Sequence, residues 1–364
     1  NAARAPNSSG NLSNTYSVGG ILSAWELDFF GRLGSLKEQA LAQYLASEEG
    51  RNAAQTSLIA AVASAWLALQ ADEEGLDISR RTLATREESL ALMKLRLDVG
   101  TASELDYRQV QSLTEAARVT LAQQQRQRAL NENALALLLG QPLPPELRAS
   151  LPGSRLVEVP SMAALPAGLP SDLLAHRPDI RQAELQLKAA NANIGAARAA
   201  FFPRISLTAQ AGTASSELSE LFKSGTWAFS PTLSALLPIF DAGRNQAGLQ
   251  AAQAGRDMAV AQYEKSIQSA FREVSDALAS QGTLDEQLRA SQAQLQAEQA
   301  RLRLAQLRYD NGVASYLDLL DAQRSLFSLE QAVVQVRLQQ LQNQVQLYKA
   351  LGGGWPAPEA QALL

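Results

Sequence analysis

A chain of 364 residues is long enough for two or three ordinary domains. Its composition argues otherwise: 46% of residues are hydrophobic but only 5% aromatic, and much of the remainder is alanine, which suits closely packed helices better than a thick globular core. A net charge of -4 and a pI near 5.3 exclude the broad basic surface that nucleic-acid binding requires, and the absence of cysteine excludes disulfides, thiolate nucleophiles and cysteine-ligated metals.

In chain order, the first fifteen residues are polar and carry neither a basic start nor an apolar targeting core. Residues 16–27 hold the β-type side chains Val18, Ile21 and Trp25 in ragged alternation, which predicts a strand. No proline lies between Pro6 and Pro142, and the gap is filled by good helix formers, so residues 31–140 are expected to form two long helices joined at Gly100. Leu76, Leu83, Leu90 and Leu97 recur every seven residues, the spacing of a coiled-coil seam. The longest nearly apolar run, residues 58–69, includes Ser64 and falls short of the ~18 residues that span a bilayer, so no transmembrane helix is expected.

Eight prolines between Pro142 and Pro178 predict an irregular connector over 141–175. Helical composition returns over 176–204 and stops at Phe201-Phe202-Pro203. The period then drops to two. Ile205, Leu207, Ala209 and Ala211 alternate with Ser206, Thr208, Gln210 and Gly212, and the pattern recurs from Trp227 to Leu237, predicting a two-faced hairpin within 205–240. Pro231 inside the second strand requires a bulge or a lost ladder bond. A second proline-free block, 241–352, repeats the helical hairpin about Gly312, with seven-residue columns at Leu288, Leu295, Leu302 and Tyr309 and at Leu320, Phe327, Val334, Leu341 and Tyr348. A tail, 353–364, follows.

The chain is written twice. Gly31-Arg32 falls on Gly243-Arg244, Gly100 on Gly312 and Leu139-Gly140 on Leu351-Gly352, each pair 212 residues apart. In the sharpest stretch, Leu95-Arg-Leu-Asp-Val-Gly-Thr-Ala-Ser-Glu-Leu-Asp106 meets Leu307-Arg-Tyr-Asp-Asn-Gly-Val-Ala-Ser-Tyr-Leu-Asp318 with eight identities in twelve positions. A period this long marks a duplicated supersecondary unit rather than a solenoid. Glycine suits a helix end because it takes positive φ freely, and Ser103 and Ser315 just beyond are positioned to cap the returning helices. Mapped through the repeat, the lead-in at Phe201 falls before residue 1, so the first copy is expected to lack its first strand and the helix before it. Aromatics at the strand starts with small polar residues opposite suit transmembrane barrel strands. Three or four strands cannot close a barrel that needs at least eight, so several chains would have to contribute. A soluble hairpin packed on the helices is the alternative.

No Ser/His/Asp set, two-histidine metal pair or glycine-rich phosphate loop can be assembled, so no enzyme, cofactor or metal is expected. The single histidine, His176, stands before Arg177-Pro178, where a capping role is expected rather than catalysis.

His176-Arg-Pro-Asp-Ile-Arg-Gln-Ala183, Phe201-Phe-Pro-Arg204, Pro238-Ile-Phe-Asp-Ala-Gly-Arg244, Tyr316-Leu-Asp-Leu-Leu-Asp-Ala-Gln-Arg-Ser-Leu326 and, in the first copy, Trp25-Glu-Leu-Asp-Phe-Phe-Gly-Arg32 resemble the outer membrane factor family, the TolC-like and OprM-like exit ducts. The match covers nearly the whole chain and is nearer the branch serving proton-driven multidrug pumps than the protein-secreting branch. The resemblance implies a mainly α fold with a small β part. Long coiled-coil helices would form a periplasmic α-barrel, and transmembrane β-barrel strands would be completed by trimerisation. It makes 1–30 and 205–240 barrel segments, 31–140, 176–204 and 241–352 α-barrel helices, and 141–175 an equatorial connector. The implied partners are two further copies, a periplasmic adaptor (membrane fusion) protein, an inner-membrane RND pump and outer-membrane lipid. Many members of this branch carry a lipidated N-terminal cysteine, a position outside these residues. Type I protein secretion and a soluble coiled-coil scaffold are the competing functions.

Residue by residue, the resemblance places a periplasmic gate at Leu317 and Asp321, with Arg324 and Tyr309 holding the closed state. Asp318, one turn before Asp321, would add a second acidic ring in a trimer. The other reading makes Asp318 an ordinary charge at a helix N-terminus and pairs Asp321 with Arg324 on a solvated surface. The turns Val99-Gly100-Thr101 and Asn311-Gly312-Val313 are helix connections that the resemblance also makes adaptor contacts.

Overall fold

The computed structural model describes residues 2–6, 12–160 and 177–353. His176, much of the proline-rich connector and most of the tail lie outside the described residues. Contacts divide the chain into two units, Asn1–Glu49 with Ile180–Ser266, and Gly50–Asp179 with Ile267–Leu364.

The first unit carries a four-stranded antiparallel sheet in the order β1 (Ala2–Pro6), β2 (Leu12–Leu27), β3 (Arg204–Ser215), β4 (Trp227–Leu236). β2 begins four residues earlier than the expected strand, at Leu12, and β1, a strand ahead of β2 in the first copy, was not expected. Alternation in β2 is ragged because one extra residue sits between Leu22, opposite Ala209, and Trp25, opposite Leu207. Ala24 takes a positive φ of 51° in this bulge, and its N–H donates to Thr208 Oγ1 at 3.3 Å.

The bulge shifts the parity of β2 so that one face gathers the apolar residues. Val18, Leu22, Trp25 and Leu27 stand with Ile205, Leu207 and Ala209 and with Trp227, Phe229, Pro231 and Leu233, as their direct cross-strand partners require. Ser206, Thr208 and Gln210 oppose Ser234, Thr232 and Ser230 on the other face, where the Ser206 and Ser234 hydroxyls are 2.9 Å apart. Pro231 pairs with Ala209 in unbroken register, so no bulge forms; as the last strand in the order, β4 tolerates the missing donor. All ten β4 residues are exposed.

Two 67-residue helices start just after these strands, α1 (Arg32–Asp98) and α5 (Arg244–Asp310). Before α5, Asp241 accepts from the Gly243 and Asn245 backbone N–H groups at 3.0 and 2.9 Å, which holds its carboxyl below the usual range. Asn245 Nδ2 donates to the Ala200 carbonyl at the end of α4 (Pro178–Ala199) at 3.0 Å, and Phe30 stacks on Phe202 with ring centroids 4.8 Å apart. An 18-residue window of α1 reaches a mean hydropathy of 1.2 with at most two charges, so by length and composition α1 does qualify as a membrane span, contrary to the reading of its shorter apolar run. Only 22% of that window is buried.

In the second unit α2 (Glu104–Leu139) returns alongside α1, and α6 (Tyr316–Ala350) alongside α5. Leu67, Ala71 and Ile78 of α1, Val334 and Leu341 of α6, and Leu156 of the connector form one buried cluster. The connector is less irregular than its prolines suggest. It holds a short helix, α3 (Pro145–Ala149), with Pro145 at the first helical position where a missing N–H costs nothing, and a 3₁₀ turn at Leu156–Glu158. That turn is pinned on both sides: Glu74 accepts from the Leu156 N–H at 2.9 Å, and Arg337 donates to the carbonyls of Leu156 (3.2 Å) and Val159 (2.7 Å). Arg177, almost fully buried, donates to Asp179, Glu273 and the Ala350 carbonyl at 2.6–3.0 Å, which ties the start of α4 to α5 and the end of α6.

Candidate functional site: the two helix-connecting turns

Both turns are built alike. Gly100 and Gly312 take φ of +73° and +69°, the left-handed conformation that ends a helix. In each, the glycine N–H returns to the carbonyl three residues back and the next N–H to the one five back: Gly100 to Leu97 and Thr101 to Arg96, Gly312 to Tyr309 and Val313 to Arg308, at 2.8–2.9 Å. Two otherwise orphaned carbonyls are thereby satisfied per turn, and Val99 and Val313 remain exposed at 64% and 68%. Asn311 adds a side-chain donation to the Leu307 carbonyl at 2.6 Å.

The returning helices open with full capping boxes. The Ser103 hydroxyl accepts from the Asp106 N–H, and Ser315 from the Asp318 N–H, while each aspartate accepts from its serine's N–H in return. Asp318 is therefore committed to the start of α6, which supports the helix-terminus reading of its charge. Ser315→Ala should cost about 1 kcal/mol and fray the first turn of α6, detected as faster amide exchange over 316–320, with Ser315→Asn largely neutral.

The structure brings Leu317, Asp318, Asp321 and Arg324 together along a groove of about 540 Å³ that Gln109, Ser112 and Leu113 of α2 complete. Leu317 is 61% exposed although apolar, while its neighbour Leu320 is buried against Met93 and Val110. Asp321 accepts from Arg301 Nη2 of α5 at 2.5 Å rather than from Arg324. Arg324 instead shares its surroundings with another cation: Arg86 is buried, donates to the Leu113 carbonyl at 2.7 Å and lies 5.9 Å from the Phe327 ring centroid. Burial, and secondarily the charge of Arg324, pull the Arg86 guanidinium below its ordinary pKa.

Tyr309 lies apart from that groove, where its hydroxyl accepts from Arg96 of α1. The Arg96 guanidinium also sits 5.5 Å from the Tyr309 ring centroid, and Tyr316 packs against that ring at 5.1 Å. Tyr309 thus links the first helical hairpin to the second. Arg86, Arg96 and Arg301 were not singled out in the sequence. Arg96 occupies the repeat position of Arg308, yet its partner Tyr309 replaces a leucine, Leu97, of the first copy, so neither repeat displays the pair.

The family model described as outer membrane efflux protein matches residues 1–141 and 169–353. The toluene efflux pump outer membrane protein TtgF of Pseudomonas putida is 53% identical over 342 residues, covering 93% of this chain and 70% of TtgF. The antibiotic efflux pump outer membrane protein ArpC of Pseudomonas putida is 48% identical over 353 residues, covering 96% and 72%. Among solved structures, the open state of the Neisseria gonorrhoeae MtrE outer membrane channel superposes with a TM-score of 0.87 at 43% identity, covering 97% of this chain and 79% of MtrE. A two-faced sheet, duplicated helical hairpins and this extent of identity lead to one conclusion: the chain belongs to the outer membrane efflux protein family.

Proposed function

We infer that three copies assemble into one duct, in which their sheets close a twelve-stranded barrel in the outer membrane and their helices form a periplasmic tunnel. The observation that carries this is the sheet itself. Most of its large apolar residues share one face and Ser206, Thr208, Gln210, Ser230, Thr232 and Ser234 the other, and four strands fall well short of the eight a barrel needs, so β1 and β4 require partners of their own kind. The weakly buried apolar window of α1 fits the same reading, since neighbouring helices of another copy would cover it. In this arrangement residues 1–30 and 205–240 are barrel segments, 31–140, 176–204 and 241–352 supply tunnel helices, and 141–175 encircles them.

The turns at 99–101 and 311–313 present exposed valines and satisfied backbones to a periplasmic adaptor, which connects the duct to an RND-type inner-membrane pump. The pump provides the energy; the duct is passive. Leu317 and Asp321 form the constriction, with the Arg96–Tyr309 contact holding it closed. Its cargo is the class named for its relatives, toluene and antibiotics.

Expression of the full-length protein in a host that retains an RND pump and adaptor but lacks its exit duct tests this. Restored tolerance to toluene and to pump substrates is expected. Restored secretion of a type I protein substrate without drug tolerance would assign it to the protein-exporting branch, and recovery from cells without detergent would make it a soluble scaffold.

A further inference from the structure

The gate reading treats Asp321 as an acidic ring, but the structure gives that carboxylate a partner. Arg301 reaches from α5 and divides its guanidinium between two acids, Nη2 with Asp321 Oδ2 at 2.5 Å and Nη1 with Glu298 Oε1 at 2.7 Å, with Ser325 Oγ at 3.5 Å. Glu298 is 17% exposed and lies one turn before Arg301 on α5, so it anchors the guanidinium to that helix, whereas Asp321 is 57% exposed. Asp318, the other acid of the groove, is committed to its own helix start. Among the described residues, Arg324 donates to neither acid and stands instead near Arg86.

We propose that Arg301 is a selectivity-determining residue of the constriction: docked on Asp321 it neutralises the acidic ring, and undocked it leaves three carboxylates facing the passing solute. The pair lies within one hairpin, α5 with α6, and an exposed ion pair has little intrinsic stability, so it separates without unfolding anything. The geometry suits a reversible device, because a charge held next to its counter-charge contributes little field to a pore and the same charge alone contributes fully. The solutes affected are small cations and cationic amphiphiles, which an uncompensated acidic ring favours.

The inference rests on the gate reading, and a double-mutant cycle on the full-length protein in planar bilayers separates the two. Reversal potentials in a potassium chloride gradient are measured for wild type, Arg301→Gln, Asp321→Asn, the double variant, and the exchanged pair Arg301→Asp with Asp321→Arg. Arg301→Gln is expected to raise the cation-to-anion permeability ratio at least about twofold, and to do so only while Asp321 is present. Asp321→Asn is expected to shift selectivity toward anions, and the exchanged pair to return it toward wild type. An effect of Asp321→Asn with none of Arg301→Gln, or equal effects of Arg301→Gln with and without Asp321, would overturn the proposal while leaving the gate intact. No effect of either residue would overturn both. Heat-stable trimer content of each variant on gels confirms that assembled channels are being compared.

Discussion

Alanine at Leu317 or Asp321 in the full-length protein is expected to raise single-channel conductance in planar bilayers by at least about twofold. The physical basis is the groove of α6. Leu317 places a large apolar side chain that its own chain leaves 61% exposed, while Leu320 one turn on is buried in the cluster with Met93 and Val110. In a threefold assembly the exposed leucines would meet around the axis as an apolar ring, and apolar constrictions hold back ions by excluding water. Truncation to alanine widens and wets that ring. Asp321→Ala acts differently, because it removes the acceptor of Arg301 and so frees α6 from one of its ties to α5. Truncating Leu320 should instead destabilise the chain by about 2–4 kcal/mol, the cost of a cavity, with no specific gain in conductance from the altered pore. Unchanged conductance in both Leu317→Ala and Asp321→Ala would remove the gate from this position.

Gly212→Val should abolish accumulation of assembled protein in the outer membrane. Gly212 stands directly opposite Gly19 in the β2–β3 ladder. A Cβ at Gly212 would lie 2.4 Å from the Val18 carbonyl oxygen and 2.6 Å from the Gly19 Cα; one at Gly19 would lie 2.5 Å from the Ala211 carbonyl oxygen. Every one of those neighbours is backbone, so no side chain can rotate away, and relief requires the two strands to part. Parting them breaks the central pairing of the sheet. Gly20, one residue along β2, has open space at its Cβ position, so Gly20→Ala is the control and should assemble normally. Comparing heat-stable oligomer in outer-membrane fractions of the two variants checks this. Normal assembly of Gly212→Val would show that the close approach of the strands is not needed.

Features set by local chemistry were legible in the sequence. Gly100 and Gly312 end helices because the left-handed conformation is free to them, and Ser103 and Ser315 cap helices through residues three positions on. The seven-residue columns mark faces that Leu76, Leu288, Leu320, Val334 and Leu341 do bury. What was not legible depends on distant partners. The alternation of β2 is interrupted by a bulge whose position is decided by β3, and Ala2–Pro6 has no pattern of its own, being a strand only because it pairs with residues 12–16. Asp321 had an arginine three positions away, a good local candidate, yet it bonds to Arg301 across the hairpin, because the register of α5 against α6 sets which cation comes within reach. Tyr309 similarly finds Arg96 on a helix of the other repeat. The candidate gate residues came from the family resemblance rather than from local rules, and packing of one helix on another chose the partners of Asp321 and Tyr309.

Among the described residues the sheet ends at β1 and β4, and the proposed duct depends on other copies pairing with those edges. Its most direct test is the native mass of the full-length protein extracted from outer membranes in mild detergent. A threefold multiple of the chain mass is expected, with inter-chain disulfides forming between cysteines introduced at facing positions of β1 and β4. A monomer that remains folded without detergent, or an assembly in which β1 and β4 never cross-link between chains, would contradict it.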